Sequence, residues 1–342
     1  MSRVAFAPLP LQDESDPARS FIDISISSQD QRSLLHSLLD QFPTGENSPY
    51  VDIPLLVYGG IAGREEEALP LTALGKFLFL GMDIIDDIAD GDAIAHWPNH
   101  RTPELQLGSS LFLSALPQIL IAELKTTEEL RIKIQLRFAK GLLEAATGQQ
   151  RELAMTGKTN VQTQEVEDSV RAKSSGIATL ASIAALLAGG AEDQISSYEE
   201  MGRNLGTATQ LATDFYDLFQ APISRDLRNG TRTLPIALCL QRCSEAEKRV
   251  LFGPLEKARS LLFAKGIGRL TAFLIELYCE RAKKSLAAAH PKKSYQERLV
   301  SYIGNVSLFK KENRTHELPR YRQTDRQVDE RPEIQGGIPQ RS

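Results

Sequence analysis

The chain has 342 residues, 42 % of them apolar and 25 % charged, the balance of a soluble globular protein long enough to bury a core without covalent staples. A net charge of −4 leaves no basic excess to displace counterions from a phosphate backbone, which excludes a nucleic-acid binder. Three cysteines (Cys239, Cys243 and Cys279) make no disulfide framework, and no histidine stands near Cys239 and Cys243 to complete a zinc site, so a reducing, cytoplasmic setting is expected.

Residues 1–28 read as an N-terminal arm. Met1 to Ser20 carries Pro8, Pro10 and Pro17 among Asp13, Glu14 and Asp16, and lacks the apolar run of an export signal. Phe21 to Ser27, where isoleucines alternate with polar residues, is the one candidate strand. Helical period then runs through Gln29–Phe42, Leu69–Asp90, Ser109–Leu124, Thr127–Thr147, Val161–Ala191, Tyr198–Phe219, Ala246–Lys265 and Ile267–Ala289. Breakers separate these stretches, among them Pro43-Thr44-Gly45, Pro98, Pro103, Gly157, Gly189-Gly190, Asn229-Gly230 and Pro291. Ser174 to Ala191 has 18 residues without a charge, but its Ala, Gly and Ser content suits a buried helix with close neighbours, so no transmembrane segment is expected. No linker divides the helical block, and residues 29–312 are expected to form a single all-α domain. Residues 313–342 hold six arginines and five acids among scattered apolar side chains, too little to offset the entropy of ordering, and read as a disordered tail.

Two acidic clusters carry the chemistry. Asp83, Asp86, Asp87 and Asp90 fall at i, i+3, i+4 and i+7, so at about 100° per residue they occupy about 100° of arc, one helix face. Uncompensated, they would repel one another and the negative C-terminal end of their own helix. Ile84, Ile85 and Ile88 interleave with them on an otherwise apolar helix, which argues against a merely solvated helix end. Hard oxygen donors suit Mg²⁺, which bridges carboxylates to phosphates. Gln210, Asp214 and Asp217 repeat the pattern at i, i+4 and i+7 on a second apolar helix. A basic loop follows, with Arg225, Arg228 and Arg232 around the Asn229-Gly230 turn. Acids for metal ions followed by arginines for phosphate oxygens are what a diphosphate site requires.

With Asp86-Asp87-Ile88-Ala89-Asp90 matching a DDxxD motif, the sequence resembles the trans-isoprenyl diphosphate synthase (polyprenyl synthetase) family of class I isoprenoid synthases. Gln210 to Asp217 is similar to that family's QxxDDxxD, with Thr213 where the first aspartate is expected. Arg225-Asp226-Leu227 and Gly230-Thr231-Arg232-Thr233-Leu234-Pro235 resemble KDL and GKxTLP, with Thr231 in place of a phosphate-binding lysine. Gly148-Gln149 with Glu152-Leu153, and Lys173-Ser174, resemble the family's GQ…DL and KT elements.

The resemblance implies the isoprenoid synthase fold, a bundle of long helices around a central apolar cavity in which the two acidic helices face each other. It implies three Mg²⁺ ions, an allylic isoprenyl diphosphate as substrate and, by analogy, a homodimer. Asp86, Asp87, Asp90, Asp214 and Asp217 are the implied metal ligands. Asp86, Asp87, Asp90, Lys173 and Arg225 are the implied catalytic residues, and Lys173, Gln210, Arg225, Asp226, Arg232 and Arg101 the implied substrate contacts. One segment departs from the pattern: where a basic GGKRxRP is expected for the acceptor diphosphate, the chain reads Tyr58-Gly59-Gly60-Ile61-Ala62-Gly63-Arg64-Glu65-Glu66-Glu67. The arginine pair expected after DDxxD is also missing; His96, His100 and Arg101 stand nearest, the histidines reading as loop-surface residues. The expected activity is therefore Mg²⁺-dependent transfer of an allylic prenyl group to isopentenyl diphosphate or another nucleophile. A terpene cyclase, or a non-catalytic regulatory subunit of a synthase, is the alternative. Phe77, two to three turns before DDxxD, is either the cavity floor or ordinary core.

Overall fold

The computed structural model describes residues 16–43 and 48–308. These residues form α-helices and one short 3₁₀ turn, Glu66–Ala68, with no strand among them. In chain order the helices are α1 (Pro17–Ser25), α2 (Gln29–Leu39), α3 (Pro49–Ala62), α4 (Leu69–Asp90), α5 (Ala93–His96), α6 (Thr102–Leu113), α7 (Ala115–Ala122) and α8 (Glu128–Met155). There follow α9 (Thr163–Lys173), α10 (Gly176–Leu187), α11 (Glu192–Phe219), α12 (Arg225–Asn229) and α13 (Leu234–Leu240). The last four are α14 (Glu245–Leu251), α15 (Leu255–Ala264), α16 (Ile267–Ala288) and α17 (Lys293–Val306). The disordered tail expected over 313–342 lies outside the described residues.

The all-α bundle is thus as expected. Helix α11 runs along α16 on one side and α10 on the other, α10 also meets α3 and α8, and α4 lies against α3 and α6. The small-residue stretch is a core helix, with every side chain of α10 from Gly176 to Ala185 buried. By length and composition alone, the stretches 66–90 and 102–122 are apolar enough to cross a membrane; 67 % of the first stretch's apolar window is buried inside the bundle.

The candidate strand is a helix. Asp16 caps α1 by accepting from the Ala18 amide at 3.0 Å, and Pro17 occupies the first turn, where its missing N–H costs nothing. Ala18, Phe21 and Ile22 then form a buried face at i, i+3 and i+4, which outweighs the alternation of Ile22, Ile24 and Ile26. Phe21 meets Phe77 with ring centroids 6.1 Å apart, and Lys76 bonds Asp16 at 2.7 Å, so the described part of the arm is docked on α4. Helix α3 gave no periodic signal because it is buried nearly all round and contains Pro54. Proline offers no N–H to the Tyr50 carbonyl four residues earlier, and that carbonyl lies against Gly75 of α4.

Helices read as continuous are broken at identifiable points. Ser114 divides α6 from α7, Gly253-Pro254 divide α14 from α15, and Ser174-Ser175 turn α9 into α10 at 45°. That last bend is clamped by close backbone packing. A Cβ on Gly148 of α8 would sit 2.3 Å from the Lys173 amide nitrogen, and one on Gly206 of α11 2.5 Å from the Ser174 carbonyl oxygen. The backbone of Lys173-Ser174 is therefore gripped between α8 and α11.

Candidate active site

A cavity of about 920 Å³ opens where α4, α8, α9 and α11 converge. Its depth is apolar, with Phe79, Met82, Leu113, Leu142 and Ile177 on the wall, and its upper part is lined by carboxylates and cations. Tyr50 enters beside Gly176, and its hydroxyl is held neutral by burial and by the negative charge of Asp83. Phe77 is not part of the wall. It is fully buried and stacked on Phe112 at 5.6 Å, which makes it core.

The four carboxylates of α4 all line the cavity, yet two of them have different posts. Asp86 accepts from Lys173 Nζ at 2.7 Å and from Gln149 Nε2 at 2.9 Å, and the same ammonium donates to Glu152 at 2.9 Å. Burial opposes the Lys173 charge, but Asp86 and Glu152 outweigh it and raise its pKa. Asp86, Asp90 and Glu152 each place a carboxylate oxygen within 4.8 Å of the others, the geometry of a cation site. Burial, then repulsion from Asp86, pushes Asp90 up to about 7, and burial likewise raises Glu152. Asp87, expected among the metal ligands, is committed elsewhere. One oxygen lies 2.6 Å from His96 Nδ1 and the other accepts from the Trp97 indole at 2.7 Å, so it anchors the segment after α4.

The second cluster divides in the same way. Gln210, expected at the substrate, uses its amide on Asp214, 2.9 Å away. The other Asp214 oxygen is buried with no hydrogen-bond partner, and burial foremost lifts this acid to about 7. Asp217, an expected metal ligand, is spent on the chain. It accepts from the Ser224 hydroxyl at 2.6 Å and from the Arg225 and Asp226 amides at 2.9 and 3.2 Å, fixing the start of α12. Thr213 turns its hydroxyl back to the Thr209 carbonyl at 3.1 Å, so the position of the lost aspartate offers no carboxylate. Asp226 presents an unpartnered buried oxygen, and its pKa stands well above the ordinary range because of burial and of repulsion from Asp214 and Asp217.

The remaining candidates separate cleanly. Arg225 and Lys173 line the cavity. Arg232 also reaches it, but its guanidinium donates to the Lys158 and Gly230 carbonyls and lies 4.5 Å over the Phe252 ring, a brace for the loop rather than a substrate contact. Arg101 is corrected outright: its side chain is 80 % exposed and bonds Glu104 at 2.6 Å at the start of α6, away from the cavity. His96, read as a surface residue, is instead 12 % exposed and packed into the site. On the acceptor side, Arg64 pairs with Glu67 at 2.8 Å and Glu65 with Arg298 at 2.7 Å, and neither arginine lines the cavity.

Sequence reasoning missed Glu152 as a partner in the cation site, along with Trp97 and Asp92. Trp97 is the only tryptophan of the chain and is buried, a signal open to notice. Asp92 bonds Arg228 at 2.6 Å and Asn229 at 3.3 Å, tying α12 to the end of α4.

Fold and site together define a helical bundle with a carboxylate-rimmed apolar cavity. The chain matches polyprenyl synthetase over residues 61–260, and it belongs to that family. It is 25 % identical over 206 residues to the geranylgeranyl diphosphate synthase of Sulfolobus acidocaldarius, a match spanning 56 % of this chain and 62 % of that enzyme. Its fold is that of the polyprenyl synthetase of Streptomyces coelicolor A3(2), at 19 % identity and a TM-score of 0.76 over 85 % of this chain and 95 % of the other. A geranylgeranyl pyrophosphate synthase of Corynebacterium glutamicum, solved with isoprenyl diphosphate and magnesium, superposes with a TM-score of 0.72 at 18 % identity over 86 % and 96 %.

Proposed function

We propose that this protein is an Mg²⁺-dependent prenyltransferase of isoprenoid biosynthesis that ionises an allylic isoprenyl diphosphate and joins it to an acceptor. The observation that carries this reading is the pairing of Asp86, Asp90 and Glu152 with the buried, unpartnered oxygens of Asp214 and Asp226 above an apolar cavity. The donor set is all hard oxygen, and burial raises Asp90, Asp214 and Asp226, a cost that a bound dication would offset, which fits Mg²⁺. Asp86, Asp90 and Glu152 would hold metal on one side and Asp214 with Asp226 on the other. When bound, the metal supplies positive charge against the leaving diphosphate. Lys173 and Arg225 bind the diphosphate oxygens, and the apolar wall of Phe79, Leu113 and Ile177 keeps water from the allylic cation. The burial of most of the 66–90 stretch among other helices supports a soluble, cytoplasmic protein, and family habit a homodimer.

The acceptor side favours a second reading. Because Arg64 and Arg298 are paired with glutamates outside the cavity, a class I terpene cyclase, in which the allylic cation is attacked by its own chain, has a specific observation behind it. A non-catalytic regulatory subunit has none, since the first cluster keeps its carboxylates. Mass spectrometry of products from the full-length protein with Mg²⁺ and allylic diphosphates of increasing length, with and without isopentenyl diphosphate, tests both. Elongated products support the transferase, cyclised hydrocarbons formed without acceptor the cyclase, and no turnover of any allylic diphosphate refutes both.

A further inference from the structure

His96 joins the two halves of the site. Its Nε2 lies 2.7 Å from Arg225 Nη1 and its Nδ1 lies 2.6 Å from Asp87 Oδ1. A guanidinium can only donate, so Nε2 must present its lone pair, and the proton must sit on Nδ1, shared with the carboxylate. The tautomer is thus fixed by its two partners. The other Asp87 oxygen is held by the buried Trp97 indole at 2.7 Å, which fixes the carboxylate and through it the imidazole plane. Arg225 is meanwhile held at its backbone, where its amide donates to Asp217 at 2.9 Å. Its charged end therefore depends on His96, with Asp92 a more distant neighbour at 3.9 Å.

We propose that His96 is a positioning residue that aims the Arg225 guanidinium into the cavity mouth, through the relay Trp97–Asp87–His96–Arg225. The proposal rests on the reading of that mouth as a diphosphate site. It gives Asp87 of the DDxxD motif a mechanical task, since each of its oxygens is engaged by a side chain that follows α4. A fixed arginine binds an anion better than a mobile one, because the side-chain entropy is lost on folding rather than on binding. The same contact makes an arginine unsuitable at position 96, since two guanidinium groups cannot share a hydrogen bond.

Loop 224–229 keeps its other anchors without His96: Asp217 on Ser224 and the two amides, and Asp92 on Arg228 and Asn229. Variants at position 96 should therefore keep the loop folded, and the test is a double-mutant cycle in the full-length protein. Calorimetry reads the affinity for inorganic diphosphate at saturating Mg²⁺ in the unaltered protein, His96→Leu, Arg225→Ala and the double variant. Arg225→Ala is expected to weaken binding about tenfold. His96→Leu is expected to weaken it several-fold, the double variant no further than Arg225→Ala alone, and His96→Gln, which keeps one donor and one acceptor, to recover most of the loss. Independent, additive losses, or no effect of His96→Leu, would overturn the proposal. A ligand-free readout separates this from the functional reading: the ¹⁵N spectrum of His96 should show a protonated Nδ1 and a bare Nε2 that shifts in Arg225→Ala. If the unaltered protein binds no diphosphate, the functional reading fails and this spectrum decides the relay alone. A proton on Nε2 would sink it.

Discussion

Asp90 and Asp214 each titrate near 7, far above the 3.8 of a free aspartate, chiefly because they are buried. A raised folded-state pKa means that between about pH 4 and 7 the folded protein binds more protons than the unfolded chain. The metal-free protein should therefore lose stability as pH rises through that window, and regain it above pH 7 when Mg²⁺ replaces the protons. Thermal melts in chelator and in Mg²⁺ from pH 5 to 8 check this; metal-free stability that climbs over the range would contradict it. Asp90→Asn removes a half-buried charge and its repulsion with Asp86, so at pH 8 in chelator it should raise the melting temperature while reducing the stabilisation by Mg²⁺. Glu152→Gln should cut turnover at least about a hundredfold and raise the Mg²⁺ needed for half-maximal rate, because it takes one carboxylate from a three-carboxylate site. At this scale the carboxylates of α4 and α11 were legible from helical spacing alone. Their division of labour was not: whether an aspartate faces a cation site or a tryptophan depends on side chains such as Trp97, Glu152 and Ser224 that approach from other elements.

Among the elements, the bend between α9 and α10 shows how backbone packing places a cavity-lining side chain, that of Lys173. Gly148→Ala would drive a methyl group against the Lys173 backbone, where no flexible side chain can yield. A loss of about 1–3 kcal/mol in urea unfolding is expected, together with a fall in kcat from displacement of the Lys173 ammonium. Unchanged stability would show that α8 and α9 are not gripped there. Long amphipathic helices such as α4 and α16 were readable end to end, and α4 was bounded correctly at both ends. Helices buried on every side, like α3, carry no period to read, and α1 mimicked a strand because its isoleucines fall at every second position.

For the molecule as a whole, the proposed reaction turns on what attacks the allylic group. An acceptor diphosphate must be desolvated against several converging cations. At the expected acceptor segment Arg64 and Arg298 are paired with Glu67 and Glu65, Lys292 lies against Gly63 but does not line the cavity, and Lys76 of α4 is paired with Asp16. Calorimetric titration should accordingly show weak binding of isopentenyl diphosphate beside firm, Mg²⁺-dependent binding of an allylic diphosphate. Tight isopentenyl diphosphate binding that disappears in Arg64→Ala would restore an ordinary elongating synthase. The bundle and the two acidic helices on its cavity were foreseeable from motif order, whereas the fate of each arginine depended on which glutamate folding brought beside it.

Lys173 also changes how the site must be loaded. Its ammonium spans Asp86 and Glu152, so the rim contains its own internal counter-ion. A metal ion arriving alone has to compete with that tethered charge as well as with protons on Asp90 and Asp214. A diphosphate arriving with the metal gives the displaced ammonium a new partner. On the proposed function, loading should then be synergistic, each component binding weakly by itself and firmly in the other's company, so that the protein would not sequester Mg²⁺ between turnovers.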